Sequence, residues 1–452
     1  MNNIGIRRIK VNGFLNQYDV DIPFGENMKV LVGENGMGKT QILNIIYYIL
    51  SRKFEKLISI SFSEIVIYFE DSSKNVINKA DLQTTIYSDK HPAINKIVSQ
   101  IGYEKFDQLM LEFNQRKITK YQFYKSSIAR ELSEYSSPEY IYEIIRDIGS
   151  YHYSNQPNLF SLSYEEIKEK IKVLLGGKQI LYFPTFRRIE EDLKNLGLED
   201  EQFTISKEDS RLINFGMSDV QRRFDIFTEK IDRLSKEGFS KLSSEILSQL
   251  VRGVPSIDEH LIKNIDENDI QIILERIGKQ IDPIDRFKIV EMINSKEVLK
   301  KDKFLLYFLQ KLINIYDQQR DLDSQIKEFV KVCNTYLTNK KVVYDESGLK
   351  IFITKESSDE KILLSKLSSG EKQIVSVLSR IYLSAEGKKF IVLFDEPELS
   401  LSIFWQRKLL PDILNSSKCE FLIAVTHSPF IFENTLDRFA IGLNEYFTPI
   451  NA

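Results

Sequence analysis

Residues 28–50 read MKVLVGENGMGKTQILNIIYYIL, in which an apolar strand, a glycine-rich turn and an apolar helix follow one another. The turn GENGMGKT, at 33–40, has the spacing of a loop that holds nucleotide phosphates. Its glycines let backbone N–H groups face phosphate oxygens, and the helix that follows adds its positive end. The predicted ligands in this stretch are Asn35, Gly36, Gly38, Lys39 and Thr40.

The last two of these residues have separate chemical roles. The ammonium group of Lys39 is expected to reach the β- and γ-phosphates, and the hydroxyl of Thr40 is expected to hold Mg²⁺. The stretch therefore predicts a site for ATP and Mg²⁺.

A second string, IVLFDEPE at 391–398, places two carboxylates at the end of an apolar strand. Asp395 is expected to bind Mg²⁺, directly or through water. Glu396 is placed to take a proton from the attacking water. The alternative is a solvated turn with a structural carboxylate pair, which the glycine-rich loop elsewhere in the chain makes less favourable.

Two further strings carry groups that suit a phosphate. LSSGEKQ, at 367–373, precedes a helix predicted over 373–384, and Ser368 with the N–H groups around Gly370 would form a phosphate-binding helix start. On its own, such a turn is a common way to begin a helix. His427, in VTHSP, follows an apolar strand and is expected to reach a γ-phosphate.

Together, the four strings resemble the ABC-type ATPase heads of the SMC, Rad50 and OLD groups and, more closely, the ATPase subunits of bacterial anti-phage systems. The resemblance implies an α/β fold, with a mixed sheet and flanking helices forming a P-loop ATPase head, and a large helical insertion. It also implies a homodimer with two composite ATP sites, in which Ser368 and Gly370 act in trans. The residues that would act in cis are Lys39, Thr40, Asp395, Glu396 and His427. The segment 399–402 corresponds to the D-loop at the dimer seam.

The resemblance also implies further contacts with the nucleotide. The loop YFPTFRRIEE would supply Arg187 or Arg188 where the family has a glutamine that senses the γ-phosphate. Phe14 or Arg8 would contact the adenine.

Chain length and the PTFRRIE string resemble the AriA-type ATPases of the PARIS anti-phage system, with the PtuA-type ATPases of the Septu system as the alternative. The resemblance implies a sensor and scaffold that holds a separate, AriB-like toxin nuclease and releases it when a phage-encoded trigger protein is recognised. It leaves open whether dimers assemble further, into a hexamer, and whether DNA is bound.

The motifs lie at both ends of the chain, so the sequence divides into five segments. We expect two terminal parts of the ATPase head at 1–75 and 341–452, and a head strand with the arginine loop at 178–200. A helical insertion is expected at 76–177, and a helical lobe or short coiled coil at 201–340.

The residue pattern also predicts three local features. The segment 58–69 is expected to be a strand. An apolar stripe over 308–333 is interrupted by Gln319. Asp321 and Asp323 are two residues apart on a predicted helix, so they point to different sides and a solvated face is favoured over a metal pair.

Composition excludes several other classes. The net charge is −3, with 42% hydrophobic and 28% charged residues, which is ordinary for a globular protein without a global attraction to nucleic acid. The N-terminus lacks the apolar core of a signal peptide, and the apolar run at 42–50 is too short to span a bilayer, so a cytoplasmic protein without a membrane partner is expected. The two cysteines are expected to be reduced.

Three rival ATPase classes are less favourable. A transporter ATPase normally has its two phosphate motifs about a hundred residues apart, whereas more than three hundred residues separate Lys39 from Ser368. A Rad50-like repair ATPase would need long heptad arms. An OLD-type nuclease would need a Toprim domain in the short segment after His427.

Overall fold

The computed structural model describes residues 4–80, 82, 120–124, 139, 142–143, 159–185, 216–253, 267–277, 282–294, 303–385 and 387–450. Arg187 and Arg188 lie outside the described residues. The chain divides into two compact units, one of Met1–Ile180 with Ala440–Ala452 and one of Leu181–Phe439. The predicted division into five segments stays a prediction.

The strands of the described residues are β1 (Ile6–Phe14), β2 (Tyr18–Pro23), β3 (Met28–Val32), β4 (Glu64–Phe69), β5 (Lys74–Asn78), β6 (Gln179–Phe183), β7 (Lys340–Asp345), β8 (Lys350–Lys355), β9 (Lys361–Ile362), β10 (Phe390–Asp395), β11 (Cys419–Thr426), β12 (Ala440–Gly442) and β13 (Phe447–Pro449). The α-helices are α1 (Lys39–Leu50), α2 (Lys120–Tyr124), α3 (Leu159–Leu175), α4 (Met217–Arg252), α5 (Glu267–Ile277), α6 (Pro283–Asn294), α7 (Lys303–Cys333), α8 (Ser369–Tyr382) and α9 (Ile403–Asn415). The predicted α/β class is confirmed.

The first unit contains an antiparallel sheet in the order β13-β2-β1-β4-β5. Ile9 pairs with Ile22 on one side and with Ile67 on the other, so the central strand is held by apolar neighbours in register. The strand expected over 58–69 is wrong in its first half, because a short 3₁₀ helix covers Phe54–Ser59 and the strand begins only at Glu64.

The glycine-rich loop also belongs to the first unit. β3 pairs in parallel with β12, and α1 follows the loop with most of its side chains buried. Both elements agree with the sequence prediction, and α1 begins at Lys39. A buried strand and a buried helix therefore hold the two ends of the loop.

In the second unit, β10 and β11 form a parallel pair, with Leu393 opposite Ile423. Every residue of β10 is buried, which suits a strand of a parallel sheet that is covered on both faces. Phe183 stacks on Phe394, with ring centroids 4.9 Å apart. Both predicted strands of this pair are confirmed. β7 and β8 form an antiparallel hairpin, with Val342 opposite Ile353.

The long helices α4 and α7 pack side by side in the second unit, and Phe224 meets Phe329 at a centroid distance of 5.6 Å. The apolar stripe of α7 faces this contact, since Leu312, Ile326 and Phe329 are fully buried. The helices α4, α5, α6 and α7 lie within the segment 201–340, where a helical lobe or short coiled coil was expected.

Two expectations for α7 are wrong. Gln319 does not interrupt the buried stripe, because it is itself buried and its Oε1 accepts from Arg276 Nη1 at 2.7 Å and from Ser235 Oγ at 3.1 Å. Asp323 does not lie on a solvated face, because its side chain is only 2% exposed and Oδ1 lies 2.7 Å from Arg276 Nη2. The hydroxyl of Tyr344 also donates to Asp323. The Arg276 guanidinium on α5 explains both errors.

Some features are absent from the described part of the chain. No helix there has both the length and the apolar character that a membrane span needs.

Cys333 and Cys419 are free thiols, and burial raises the pKa of Cys333. The expectation of reduced cysteines is consistent with this arrangement.

The buried ion pair gives a first prediction. Arg276→Ala should lower the free energy of unfolding by about 3–5 kcal/mol, because Asp323 would remain as a buried charge without its partner. Arg320→Ala removes an exposed pair with Asp269 and should cost less than about 1 kcal/mol. Urea unfolding followed by circular dichroism compares the two variants, and equal losses would contradict the assignment.

Candidate functional site

The glycine-rich loop has a backbone that only glycine adopts without strain at two positions. Gly36 and Gly38 have φ of +88° and +79°. A Cβ on Gly38 would lie 2.7 Å from Cζ of Phe14, so this position also lacks room for a side chain. A Cβ on Gly36 would meet nothing within 4 Å, and Asn35 beside it is exposed. The loop therefore has an open side where a ligand has access to its backbone.

The start of α1 is suited to an anion. No side chain caps the helix at Gly38, and the first turn contains no acidic residue. The positive end of the helix is consequently not neutralised by a carboxylate of its own. Thr40 lies in this first turn and is half-buried.

Lys39 is folded back over the loop. Its Nζ donates to the carbonyl oxygens of Gly33 at 2.7 Å and Glu34 at 3.0 Å. An ammonium group has three hydrogens, so these two bonds leave one hydrogen for an anion held by the loop. The donor set therefore fits the phosphates of a nucleotide.

The two residues considered for adenine differ in their surroundings. Phe14 is fully buried, with its ring against Gly38 and in edge contact with Phe447, so it offers no face to a base. Arg8 is partly exposed, and its guanidinium lies 4.2 Å from the centroid of the Tyr68 ring. Phe14 therefore supports the glycine-rich loop by packing its buried ring against Gly38.

In the second unit, the carboxylates emerge where β10 ends. Asp395 is buried, and its Oδ2 accepts from Thr185 Oγ1 at 2.8 Å. Its carboxylate oxygens are hard donors of the kind that Mg²⁺ prefers. The next residue, Glu396, has a left-handed backbone with φ of +49°, and its N–H donates to the carbonyl of Val425 at 2.9 Å.

Three titratable side chains meet at the ends of β10 and β11. Nδ1 of His427 lies 3.0 Å from Oε1 of Glu398 and 4.0 Å from Oε1 of Glu396. The side chain of Glu396 is 21% exposed and that of His427 is 43% exposed, whereas that of Glu398 is only 4% exposed. Glu396 and His427 are therefore accessible from solvent, while Glu398 contacts His427 from the buried side.

The helix expected at 373–384 begins earlier in the structure. α8 starts at Ser369, with Ser368 as its N-cap. The N–H and hydroxyl of Ser368 both donate to Oε2 of Glu371, at 2.8 and 2.9 Å, and the N–H of Glu371 donates back to Ser368 Oγ at 3.4 Å. This reciprocal capping box stabilises the helix start, and it explains the boundary error.

Glu371 has a further partner on β7. Nζ of Lys340 donates to both carboxylate oxygens at 2.8 Å. Burial would raise the pKa of Glu371, but the hydrogen bonds from Lys340 and Ser368 outweigh it and hold the pKa below its ordinary value. Ser368 is thus exposed at a helix start whose own carboxylate is charged and held in place.

Gly370 packs directly against the segment 399–402. A Cβ on Gly370 would overlap the carbonyl oxygen of Ser400 and lie 3.1 Å from Cζ3 of Trp405. Ser400 itself is exposed and has a left-handed backbone, with φ of +65°. The glycine at this position is therefore required for the close approach of two backbone segments.

The predicted site residues fall into two groups. Those of the glycine-rich loop belong to the first unit, and those around the ends of β10, β11 and the start of α8 belong to the second. Sequence reasoning missed four supporting side chains, namely Thr185, Lys340, Glu371 and Glu398. Glu398 had a sequence signal, since it stands two residues after Glu396 in the same string.

Comparison with known proteins agrees with an ATPase. The family model for the AAA ATPase domain matches residues 5–432, which takes in residues of both units. No curated protein matches the chain.

Two solved structures are among those that match this chain. An Smc head bound to the C-winged helix domain of ScpA is 10% identical, with 94% of this chain and 90% of that chain covered and a TM-score of 0.31. An Smc head domain with an extended coiled coil, bound to the C-terminal domain of ScpA and derived from Pyrococcus furiosus, is 12% identical. In that case 99% of this chain and 96% of that chain are covered, with a TM-score of 0.34.

The contact of Gly370 gives a second prediction. Gly370→Ala should lower the free energy of unfolding by about 1–3 kcal/mol, because the added methyl group forces α8 away from Ser400. Gly25→Ala is the control, since a Cβ there would meet nothing within 4 Å. Thermal unfolding measures both variants, and an unchanged midpoint for Gly370→Ala would contradict the packing.

Proposed function

This chain belongs to the family of AAA ATPase domains, and we propose that it hydrolyses ATP as an ABC-type head that dimerises around the nucleotide. The observation that carries the proposal is the arrangement at the ends of β10 and β11, where Glu396 and His427 are accessible beside the buried Asp395. The open glycine-rich loop with an uncapped helix start supports the binding of phosphates.

Nucleotide binding is assigned to the loop. The backbone of Asn35, Gly36 and Gly38 would surround the phosphates, and Lys39 would neutralise part of their charge. Thr40 and Asp395 would hold Mg²⁺, which supplies further positive charge to the phosphate oxygens during the reaction.

Hydrolysis is assigned to Glu396 and His427. The carboxylate of Glu396 takes a proton as water attacks the γ-phosphorus, and the bond to the bridging oxygen of ADP breaks. Glu398 is a poorer base, because its Oε1 already accepts the backbone N–H of His427, lies 3.0 Å from Nδ1 of the same residue, and belongs to a buried side chain. The hydrogen-bonding face of His427 would contact the γ-phosphate.

Dimerisation is assigned to the start of α8 and the D-loop. Ser368 is exposed at a helix start, and its neighbour Gly370 packs on the exposed Ser400. In the proposed dimer, Ser368 and the N–H groups near Gly370 approach the γ-phosphate held by the other subunit. ATP would thereby hold the two subunits together.

A finer assignment rests on the resemblance of the loop motifs to defence ATPases. We infer that the chain is the sensor and scaffold of a PARIS-type anti-phage complex, holding a separate nuclease that a phage-encoded protein releases. The Septu type is the alternative. Co-expression with the product of the neighbouring gene distinguishes them, because a Toprim-type nuclease that co-purifies supports PARIS and an HNH nuclease supports Septu. Membrane subunits would instead favour a transporter.

The proposed chemistry gives a third prediction. Glu396→Gln should lower kcat for ATP hydrolysis by about 100-fold or more, because the general base is lost, while nucleotide binding is retained. Lys39→Ala should abolish binding of a fluorescent ATP analogue. Phosphate release measures the first effect and fluorescence anisotropy the second.

Glu433→Gln serves as the control, since Glu433 is an exposed carboxylate that pairs only with Arg407 in the described part of the chain. If Glu396→Gln hydrolyses ATP at the wild-type rate, Glu396 is not the base.

A further inference from the structure

Glu398 is a buried carboxylate with an unusual set of contacts. Its Oε1 accepts the backbone N–H of His427 at 3.0 Å and lies 3.0 Å from Nδ1 of the same residue. Its other oxygen, Oε2, has no hydrogen-bond partner among the described residues. A buried carboxylate with one unsatisfied oxygen is unfavourable for stability, so a role in the reaction is a better reason for its presence.

The contact with Nδ1 determines the state of the imidazole ring. An ionised carboxylate only accepts hydrogen bonds, so Nδ1 must carry a hydrogen when it meets Oε1. The backbone N–H shares the same oxygen, which anchors the ring and the main chain of His427 to one point. Nε2 is then the nitrogen left for a ligand, and the ring is accessible because 43% of the side chain is exposed.

The turn that carries Glu398 is itself held by two helices. Nε2 of Gln373, on α8, donates to the carbonyl of Pro397 at 3.3 Å. Nε2 of Gln406, on α9, donates to the carbonyls of Glu398 at 3.4 Å and Leu401 at 2.9 Å. Glu398 therefore has little freedom to move away from His427.

We propose that Glu398 is a positioning residue that orients the ring of His427, with Nδ1–H towards the carboxylate and Nε2–H directed to the γ-phosphate of ATP. A phosphate oxygen, like the carboxylate, only accepts, so both ring nitrogens carry a hydrogen in this arrangement. This inference rests on the proposed ATPase function. Glu398 acts through His427 and does not touch the nucleotide. Its second contact, with the backbone N–H, aligns the end of β11 relative to the end of β10.

Two substitutions separate positioning from simple filling of space. Glu398→Met keeps the length of the side chain but removes the acceptor, so the ring of His427 is no longer oriented. Glu398→Gln keeps an acceptor. The backbone N–H of His427 is unchanged and needs an acceptor, so the amide oxygen of the glutamine takes the position of Oε1. The same oxygen then also accepts from Nδ1.

The test is a double-mutant cycle on kcat with Glu398→Met and His427→Ala. Glu398→Met should lower kcat by about 10- to 100-fold, the range found when a group that orients a metal-binding side chain is replaced. In the His427→Ala background, Glu398→Met should cause almost no further loss, because the residue it orients is gone. Glu398→Gln should recover most of the lost kcat, and KM for ATP should change less than kcat.

The proposal would be overturned if the loss of kcat in the double mutant equalled the product of the two single losses. A Glu398→Gln variant no more active than Glu398→Met would also overturn it. Thermal unfolding of every variant shows whether a loss arises from misfolding. If Glu398→Met does not fold, the folded Glu398→Gln variant decides, because it should keep a kcat near that of the wild type and a loss as large as that of His427→Ala would overturn the proposal. The wild type and Lys39→Ala are measured first. Absent Lys39-dependent hydrolysis contradicts the proposed function itself, whereas multiplied losses with normal hydrolysis contradict only the role of Glu398.

Discussion

The parallel pairing of β10 with β11 determines where the carboxylates of the second unit lie. Parallel strands bring their carboxyl ends to the same edge, and here the pairing continues until the N–H of Glu396 donates to Val425. The buried runs 390–394 and 421–425 are apolar, and polar side chains follow each of them at this edge. Asp395, Glu396 and Glu398 follow one strand and His427 follows the other, so a contact between distant parts of the sequence arises from strand register alone.

The start of α8 is linked to that edge by two contacts of different kinds. Gly370 allows the backbone of α8 to approach Ser400 closely, and Gln373 donates to the carbonyl of Pro397. A displacement of α8 would therefore disturb the turn that carries Glu398. In the proposed dimer, α8 closes over the ATP of the other subunit. This movement would change the position of His427 through the turn that carries Glu398.

Local signals were sufficient for much of this architecture. The strand, glycine turn and helix of residues 28–50 lie next to one another in sequence, and the buried runs of β10 and β11 have no polar interruption. Two errors have a non-local cause. Asp323 and Gln319 are buried because Arg276, more than forty residues away, pairs with both. The proposed role of Glu398 likewise depends on a hydrogen bond between the ends of two strands. The early start of α8 has a local cause, since Ser368 and Glu371 form a capping box that hydrophobic periodicity does not reveal.

The proposed dimer requires ATP to hold two copies of the chain together. Mass photometry of the Glu396→Gln variant, with Mg²⁺ and either ATP or ADP, measures this directly, since slow hydrolysis keeps the triphosphate bound. ATP should shift the population from the mass of one chain to that of two, and ADP should not. A mass that stays unchanged with saturating ATP, or one that doubles equally with ADP, would contradict the account.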